Sequence, residues 1–85
     1  MYCVYLLLLK NKQIYTGFTT NIRQRISDHK SGRVKSTVNR RPLRLVHYEI
    51  YLLEEDARRR EKFLKTSDGK KLIKQQLSCL FKKIK

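Results

Sequence analysis

Tyr2-Cys3-Val4-Tyr5-Leu6-Leu7-Leu8-Leu9, then Lys10-Asn11-Lys12-Gln13, then Ile14-Tyr15-Thr16-Gly17-Phe18: this opening stretch decides the fold. The first segment is a short apolar run with β-branched and aromatic members, and it reads as a buried strand. The polar segment after it is hairpin-sized. Ile14 to Phe18 then reads as a second strand, antiparallel to the first. Gly17 has no side chain, so it marks either a bulge or a point where something approaches the backbone closely. Val4 to Leu9 is far too short to span a bilayer, and Lys10 closes the run too early for a signal peptide.

Outward from the hairpin, Thr19-Thr20-Asn21 offers helix N-caps. A helix is expected from Ile22 to Lys30, with Gly32 as its stop. Ile22, Arg25, Ile26 and His29 share one face by the i, i+3, i+4, i+7 rule. The isoleucines should anchor the helix to the sheet, while Arg25 and His29 emerge at the core edge. Gly32 to Pro42 is a basic connection. Leu43 to Leu52 is the third strand, with Leu45, His47, Glu49 and Tyr51 on one face and Val46, Tyr48 and Ile50 on the other. Glu54-Glu55-Asp56 opens a second helix with acids at its positive end. This helix runs to about Lys65 and carries Ala57, Glu61 and Leu64 on one stripe. Ser67-Asp68-Gly69 reads as a break, followed by a third helix over Lys70–Leu80 and a loose basic tail from Phe81 to Lys85. The fold class is α+β: one domain over residues 1–80, with a small three-stranded antiparallel sheet flanked by helices.

Twenty-one Lys and Arg face seven Asp and Glu, a formal net charge of +14. A chain this basic meets a polyanion. Forty per cent of the residues are hydrophobic, enough for one modest core in a chain of this length. Cys3 and Cys79 lie far apart without metal-type spacing, and read as reduced, buried or half-buried thiols. A soluble protein of the reducing cytoplasm is expected, with no membrane partner and no small-molecule substrate.

Single residues say little. Tyr5 and Tyr15 lie on neighbouring strands and suit the core edge. Arg25 alone is a solvated residue or a phosphate clamp. His29 alone is a half-buried polar group. Glu61 alone is a partner for Arg58 or Lys65.

Their order and spacing say more. Cys3-Val4-Tyr5, Tyr15-Thr16-Gly17, Arg25, His29 and Glu61 in Arg60-Glu61-Lys62-Phe63-Leu64-Lys65 resemble the motif set of the GIY-YIG nuclease superfamily. The likeness is to small single-domain members related to the nuclease domain of the excision-repair endonuclease, and it covers residues 2 to 76. The Gly and Ile of the first motif are replaced by Cys3 and Val4. The stretch Lys70-Lys71-Leu72-Ile73-Lys74-Gln75-Gln76 lacks the asparagine that many relatives carry there.

The resemblance implies a metal-dependent DNA endonuclease acting in DNA repair or processing. Its catalytic residues would be Tyr5, Tyr15, Arg25, His29 and Glu61, with Glu61 holding one Mg²⁺ or Mn²⁺. Phosphodiester hydrolysis needs an activated water, charge neutralisation at phosphorus and help for the leaving oxygen. A divalent ion on hard oxygen ligands gives the last of these. Arg25 can stabilise developing negative charge. Tyr5 is the candidate general base, provided that nearby cations and a metal lower its pKa from about 10. His29 supports proton movement and Tyr15 orients water or phosphate; the base is left open between Tyr5 and His29. Arg23, Arg33, Lys35, Arg40, Arg41, Lys70 and Lys71 form the expected DNA footprint. No strong sequence specificity is expected from these residues, and a third reading is a weak or auxiliary nuclease that needs a protein partner for targeting. The alternative is a basic nucleic-acid-binding module without catalysis. The endonuclease reading also expects all five side-chain tips to line one solvent-open cleft rimmed by Lys and Arg, and it requires Glu61 on the same side of the sheet as Tyr5 and Arg25.

Overall fold

A computed structural model describes residues 1–84. Three strands, β1 (Tyr2–Leu8), β2 (Ile14–Thr19) and β3 (Arg44–Tyr51), form an antiparallel sheet in the order β2-β1-β3. Four helices accompany it: α1 (Ile22–Lys30), α2 (Glu54–Leu64), α3 (Ser67–Gln76) and α4 (Ser78–Lys83). The α+β class and the three-stranded sheet expected from the sequence are therefore present.

β1 is central, and its apolar run is buried on both faces. Side chains alternate along a strand, so the run splits into two cores. Cys3, Tyr5, Leu7 and Leu9 pack with Leu43 against Ile22 and Ile26 of α1. Val4 and Leu6 pack on the other face against Ala57 and Leu64 of α2 and Ile73 of α3. α1 and α2 thus cover opposite faces of the sheet. Cys3 is buried, as expected; Cys79 is exposed on α4, contrary to expectation.

The hairpin register sets Tyr5 opposite Gly17 and Leu7 opposite Tyr15. Tyr5, Tyr15 and Gly17 therefore share the α1 face. The Asn21 carboxamide caps α1, accepting from the Gln24 N–H at 3.2 Å. Gly32, at φ +83°, ends it in the left-handed conformation that glycine adopts at least cost.

Three expectations change. The β1–β3 register slips between Leu6 and Leu7: Leu6 faces His47 and Leu7 faces Leu45. Val46 is the extra residue, and the bulge reverses the alternation there. Leu45 joins the α1 core, so it does not share a face with His47, Glu49 and Tyr51. Ser67-Asp68-Gly69 is no break: it is the first turn of α3, capped by the Thr66 hydroxyl, which accepts from the Gly69 N–H at 3.0 Å. Phe81 to Lys83 are helical within α4 rather than a loose tail; Lys85 lies outside the described residues.

Candidate active site

Tyr5 stands at the middle of β1 and lies flat across β2. A Cβ built on Gly17 would collide with the Tyr5 ring carbon Cζ and its hydroxyl. The missing side chain at position 17 is what lets the phenol reach toward the outer edge of the sheet. α1 then supplies two groups from one stripe. Ile22 and Ile26 pin that stripe to the core, which fixes Arg25 and His29 over the same face.

A continuous hydrogen-bonded chain results. The Arg25 Nε–H donates to the Tyr5 hydroxyl at 3.3 Å. The Tyr5 hydroxyl meets His29 Nε2 at 2.8 Å, and His29 Nδ1 meets Thr37 Oγ1 at 2.8 Å. Arginine can only donate, so His29 Nε2 is the acceptor left for the Tyr5 proton. We assign the imidazole Nδ1–H tautomer, donating to Thr37, on that ground. Tyr5, His29 and Thr37 are each 0% exposed. Tyr15 is half-buried, with its ring 5.2 Å from that of His29 and 6.4 Å from that of Tyr5. Its hydroxyl accepts from the Ser36 hydroxyl at 3.5 Å.

Burial sets the protonation states. It pushes the Tyr5 phenol above its ordinary value, and the opposing Arg25 bond is not enough to reverse this. Of the two influences expected to lower the phenol, the protein's own cations do not prevail: desolvation outweighs one guanidinium. Burial, with the Arg25 charge adding to it, holds His29 below its ordinary value. The resting site has a neutral phenol against a neutral imidazole.

Glu61 arrives differently. α2 covers the opposite sheet face, and Glu61 lies on its β2 side, one turn on from Arg58. The Arg58 guanidinium stacks over the Phe18 ring at 3.8 Å. Glu61 is half-buried and holds Lys65 Nζ at 3.1 Å and Arg58 at 4.0 Å. No direct contact joins it to Tyr5, Arg25 or His29, although its charge acts on the Tyr5 phenol. The expected open cleft of five tips is therefore corrected. Four side chains gather on the α1 face, two of them fully buried, while Glu61 belongs to the helix that covers the opposite face, contrary to expectation, and reaches Tyr5 only through its charge. No group of three or more His, Cys, Asp or Glu suited to a metal occurs among the described residues. The Glu61 carboxylate is a hard oxygen donor of the kind a divalent cation takes, and the other ligands would have to come from outside the protein. Glu49 is committed elsewhere, on the α2 face, to Arg60 at 2.9 Å, Tyr51 at 2.7 Å and His47 at 3.0 Å. Gln76 is drawn to the same cluster, accepting from Arg60 at 3.2 Å.

The basic residues divide by task. Arg41 staples the connection, donating to the Val38 carbonyl at 3.0 Å and the Lys30 carbonyl at 3.3 Å. Arg33 pairs with Asp28 at 3.4 Å. Arg23, Lys35, Arg40, Lys70 and Lys71 are exposed. Sequence reasoning missed Thr37 and Ser36. Their only signal was two hydroxyls inside an otherwise cationic connection.

The family model of the GIY-YIG catalytic domain matches residues 1–74. The chain belongs to the GIY-YIG family. Small single-domain relatives of this GIY-YIG chain carry the name UPF0213. One from Staphylococcus haemolyticus is 39% identical over 72 residues, covering 84% of this chain and 88% of the relative. Another, from Haloquadratum walsbyi, is 36% identical over 76 residues, covering 88% and 83%. The solution NMR structure of a UPF0213 protein from Bacillus halodurans superposes with a TM-score of 0.59 at 34% identity, over 91% of this chain and 86% of that one. GIY-YIG domains form a nuclease family, and that coarse assignment holds for this chain.

Proposed function

We propose that this GIY-YIG chain is a divalent-metal-dependent DNA endonuclease of the cytoplasm, acting in DNA repair or processing. The observation that carries the reading is the Arg25–Tyr5–His29–Thr37 chain of hydrogen bonds. A structural tyrosine needs one partner for its hydroxyl. This one has a proton acceptor on one side and a cationic donor on the other, both from a helix that its own core anchors.

The residues act in concert. Arg25 is half-buried, so it reaches solvent while touching the Tyr5 hydroxyl. A scissile phosphate draws the guanidinium toward its oxygens, which uncovers the phenol. Tyr5 takes a proton from the attacking water as it passes its own to His29. The phenol stays neutral throughout, so its raised pKa is no obstacle. Thr37 holds the imidazole in the accepting tautomer. Arg25 stabilises charge on the pentacoordinate phosphorus, and Tyr15 orients water or phosphate. Glu61 would hold Mg²⁺ or Mn²⁺ after giving up Lys65; the bound ion would help the leaving oxygen depart. Arg23, Arg33, Lys35, Arg40, Arg41, Lys70 and Lys71 supply the electrostatic hold on DNA, aided by a protein partner for targeting.

The pairing of Glu61 with Lys65 and Arg58 favours the second reading, a non-catalytic binding module. One assay separates the two. Plasmid and flapped or branched DNA are incubated with Mg²⁺ or Mn²⁺ and with chelator. Metal-dependent nicking is expected, and binding without nicking under every metal condition would establish the binding module instead.

A further inference from the structure

Beyond the site, one groove of about 420 Å³ is lined by Lys12, Gln13, Ile14, Thr16, Leu64, Lys70, Ile73, Lys74 and Phe81. Its floor is apolar: Leu64 and Ile73 are buried, and Ile14 and Phe81 are half-buried. Its rim carries three lysines. None of the three takes part in an ion pair among the described residues, and no acid lines the groove. The volume is within the range of small-ligand sites, roughly 300–1,000 Å³. A cationic rim over an apolar floor selects a ligand with a flat apolar body and an attached anion.

The groove lies on the α2 face of the sheet, across β2 from the Arg25–Tyr5–His29 chain. Thr16 turns to this face while its neighbour Gly17 belongs to the other, and Leu64 lies one helical turn beyond Glu61 on α2. We propose that this groove holds an unpaired nucleotide of the substrate strand, on the Glu61 side of the sheet from the scissile phosphate. The base rests on Ile14, Leu64, Ile73 and Phe81, and its flanking phosphates meet Lys12, Lys70 and Lys74. The inference rests on the endonuclease reading for its substrate class. A base stacked inside a duplex cannot enter such a groove, whereas an unpaired one presents its face to apolar and aromatic side chains. The groove thereby confers a preference for DNA with a single-stranded segment at the cut.

The test uses the whole chain without metal, so that no cleavage intervenes. Lys12→Asn and Lys74→Gln are combined; Lys70, which also belongs to the general DNA footprint, is left in place. Both lysines are exposed, and Asn suits the left-handed backbone of residue 12, at φ 67°. Binding to a single-stranded oligonucleotide and to a blunt hairpin duplex is measured across salt concentrations. The variant is expected to lose tenfold or more in single-strand affinity, with the salt slope shallower by about 1.4, at ~0.7 per lysine. Duplex binding should change little. Equal losses on both ligands, or none on either, overturn the proposal. Amide shifts in NMR separate this outcome from the fate of the endonuclease reading. Single-strand shifts at Tyr5, Arg25 and Thr37 without any at Thr16, Leu64, Ile73 and Phe81 reject the groove and keep the active site. The reverse pattern keeps the groove as a nucleotide site and rejects the catalytic assignment.

Discussion

Tyr5 and Gly17 face each other across the β1–β2 pair, and the phenol occupies the space a side chain at 17 would fill. Gly17→Ala tests this most directly. The new methyl must push the ring off β2, and overpacking of this kind costs about 1–3 kcal/mol. Chemical denaturation should show that loss. Nicking should fall much further, because the hydroxyl leaves both His29 and Arg25. A variant with parental nicking would remove Tyr5 from the chemistry.

Arg25 bridges solvent and the buried phenol. Arg25→Ala should slow cleavage by about 10²-fold or more and weaken DNA binding far less, since its main contribution is to the transition state. Single-turnover rates and affinities measured together decide it. Equal losses in both would make Arg25 an ordinary backbone contact.

The sequence made part of this site legible for geometric reasons. Tyr5, Tyr15 and Gly17 share parity across a hairpin whose turn fixes the register, so their common face follows from strand alternation. Ile22, Arg25, Ile26 and His29 share a helical stripe that is too regular to miss. Thr37 was not legible, because a connecting segment brings it back to His29 and no periodicity encodes that closure. The bulge at Val46 left no Gly or Pro to mark it, so Leu45 was placed on the wrong face. Glu61 was rightly put along the packed stripe of α2. The face that helix covers depends on how the chain crosses the sheet after β3, which residue spacing does not record.

His29 supplies a pH dependence with a defined sign. Its folded pKa is depressed by burial and by the Arg25 charge. Below the ordinary histidine value, about 6.5, the unfolded chain takes up the proton before the folded one does. Stability from this group is therefore full above that value and falls as pH drops toward the folded pKa, by at most about 1.4 kcal/mol per pH unit. His29→Gln should flatten that acid limb in denaturant titrations. An unchanged limb would place the titration elsewhere.

On the opposite face, Glu49 and Arg60 tie β3 to α2. Burial alone would raise the Glu49 pKa, but the bonds from Arg60, Tyr51 and His47 carry it below its ordinary value. Stability from Glu49 is present above the ordinary carboxylate range and is lost as pH falls through the depressed folded value. Burial, joined by the Glu49 carboxylate, lifts Tyr51 to about 12, so alkali destabilises the fold between about 10 and 12. Arg60→Ala leaves a mostly buried carboxylate with only Tyr51 and His47 as partners and should cost about 2–4 kcal/mol. Because the cluster lies on the opposite face of the sheet from the Tyr5 ring, nicking by the folded fraction should match the parent. A selective loss of nicking without a loss of stability would contradict this separation.

Glu61 decides between the two functional readings. Its carboxylate lies between Lys65 and Arg58, on the β2 side of α2, and its charge acts on the Tyr5 phenol. If these ion pairs were its purpose, Glu61→Gln would do little: they are exposed on the cationic side, and such pairs contribute about 0–1 kcal/mol. If Glu61 holds a divalent ion against the phosphate, the same change removes a charged ligand at the reacting centre. Nicking in Mg²⁺ or Mn²⁺ should then fall by at least about 10²-fold, with melting temperature nearly unchanged. DNA affinity in chelator should hold or rise, because a negative charge has left a surface that binds a polyanion. Lys65→Gln supplies the opposite control. It frees the carboxylate, so the concentration of Mg²⁺ needed for half-maximal nicking should fall. A Glu61→Gln variant that cuts as fast as its parent, or a Lys65→Gln variant with an unshifted metal requirement, would show that the ion is not held here.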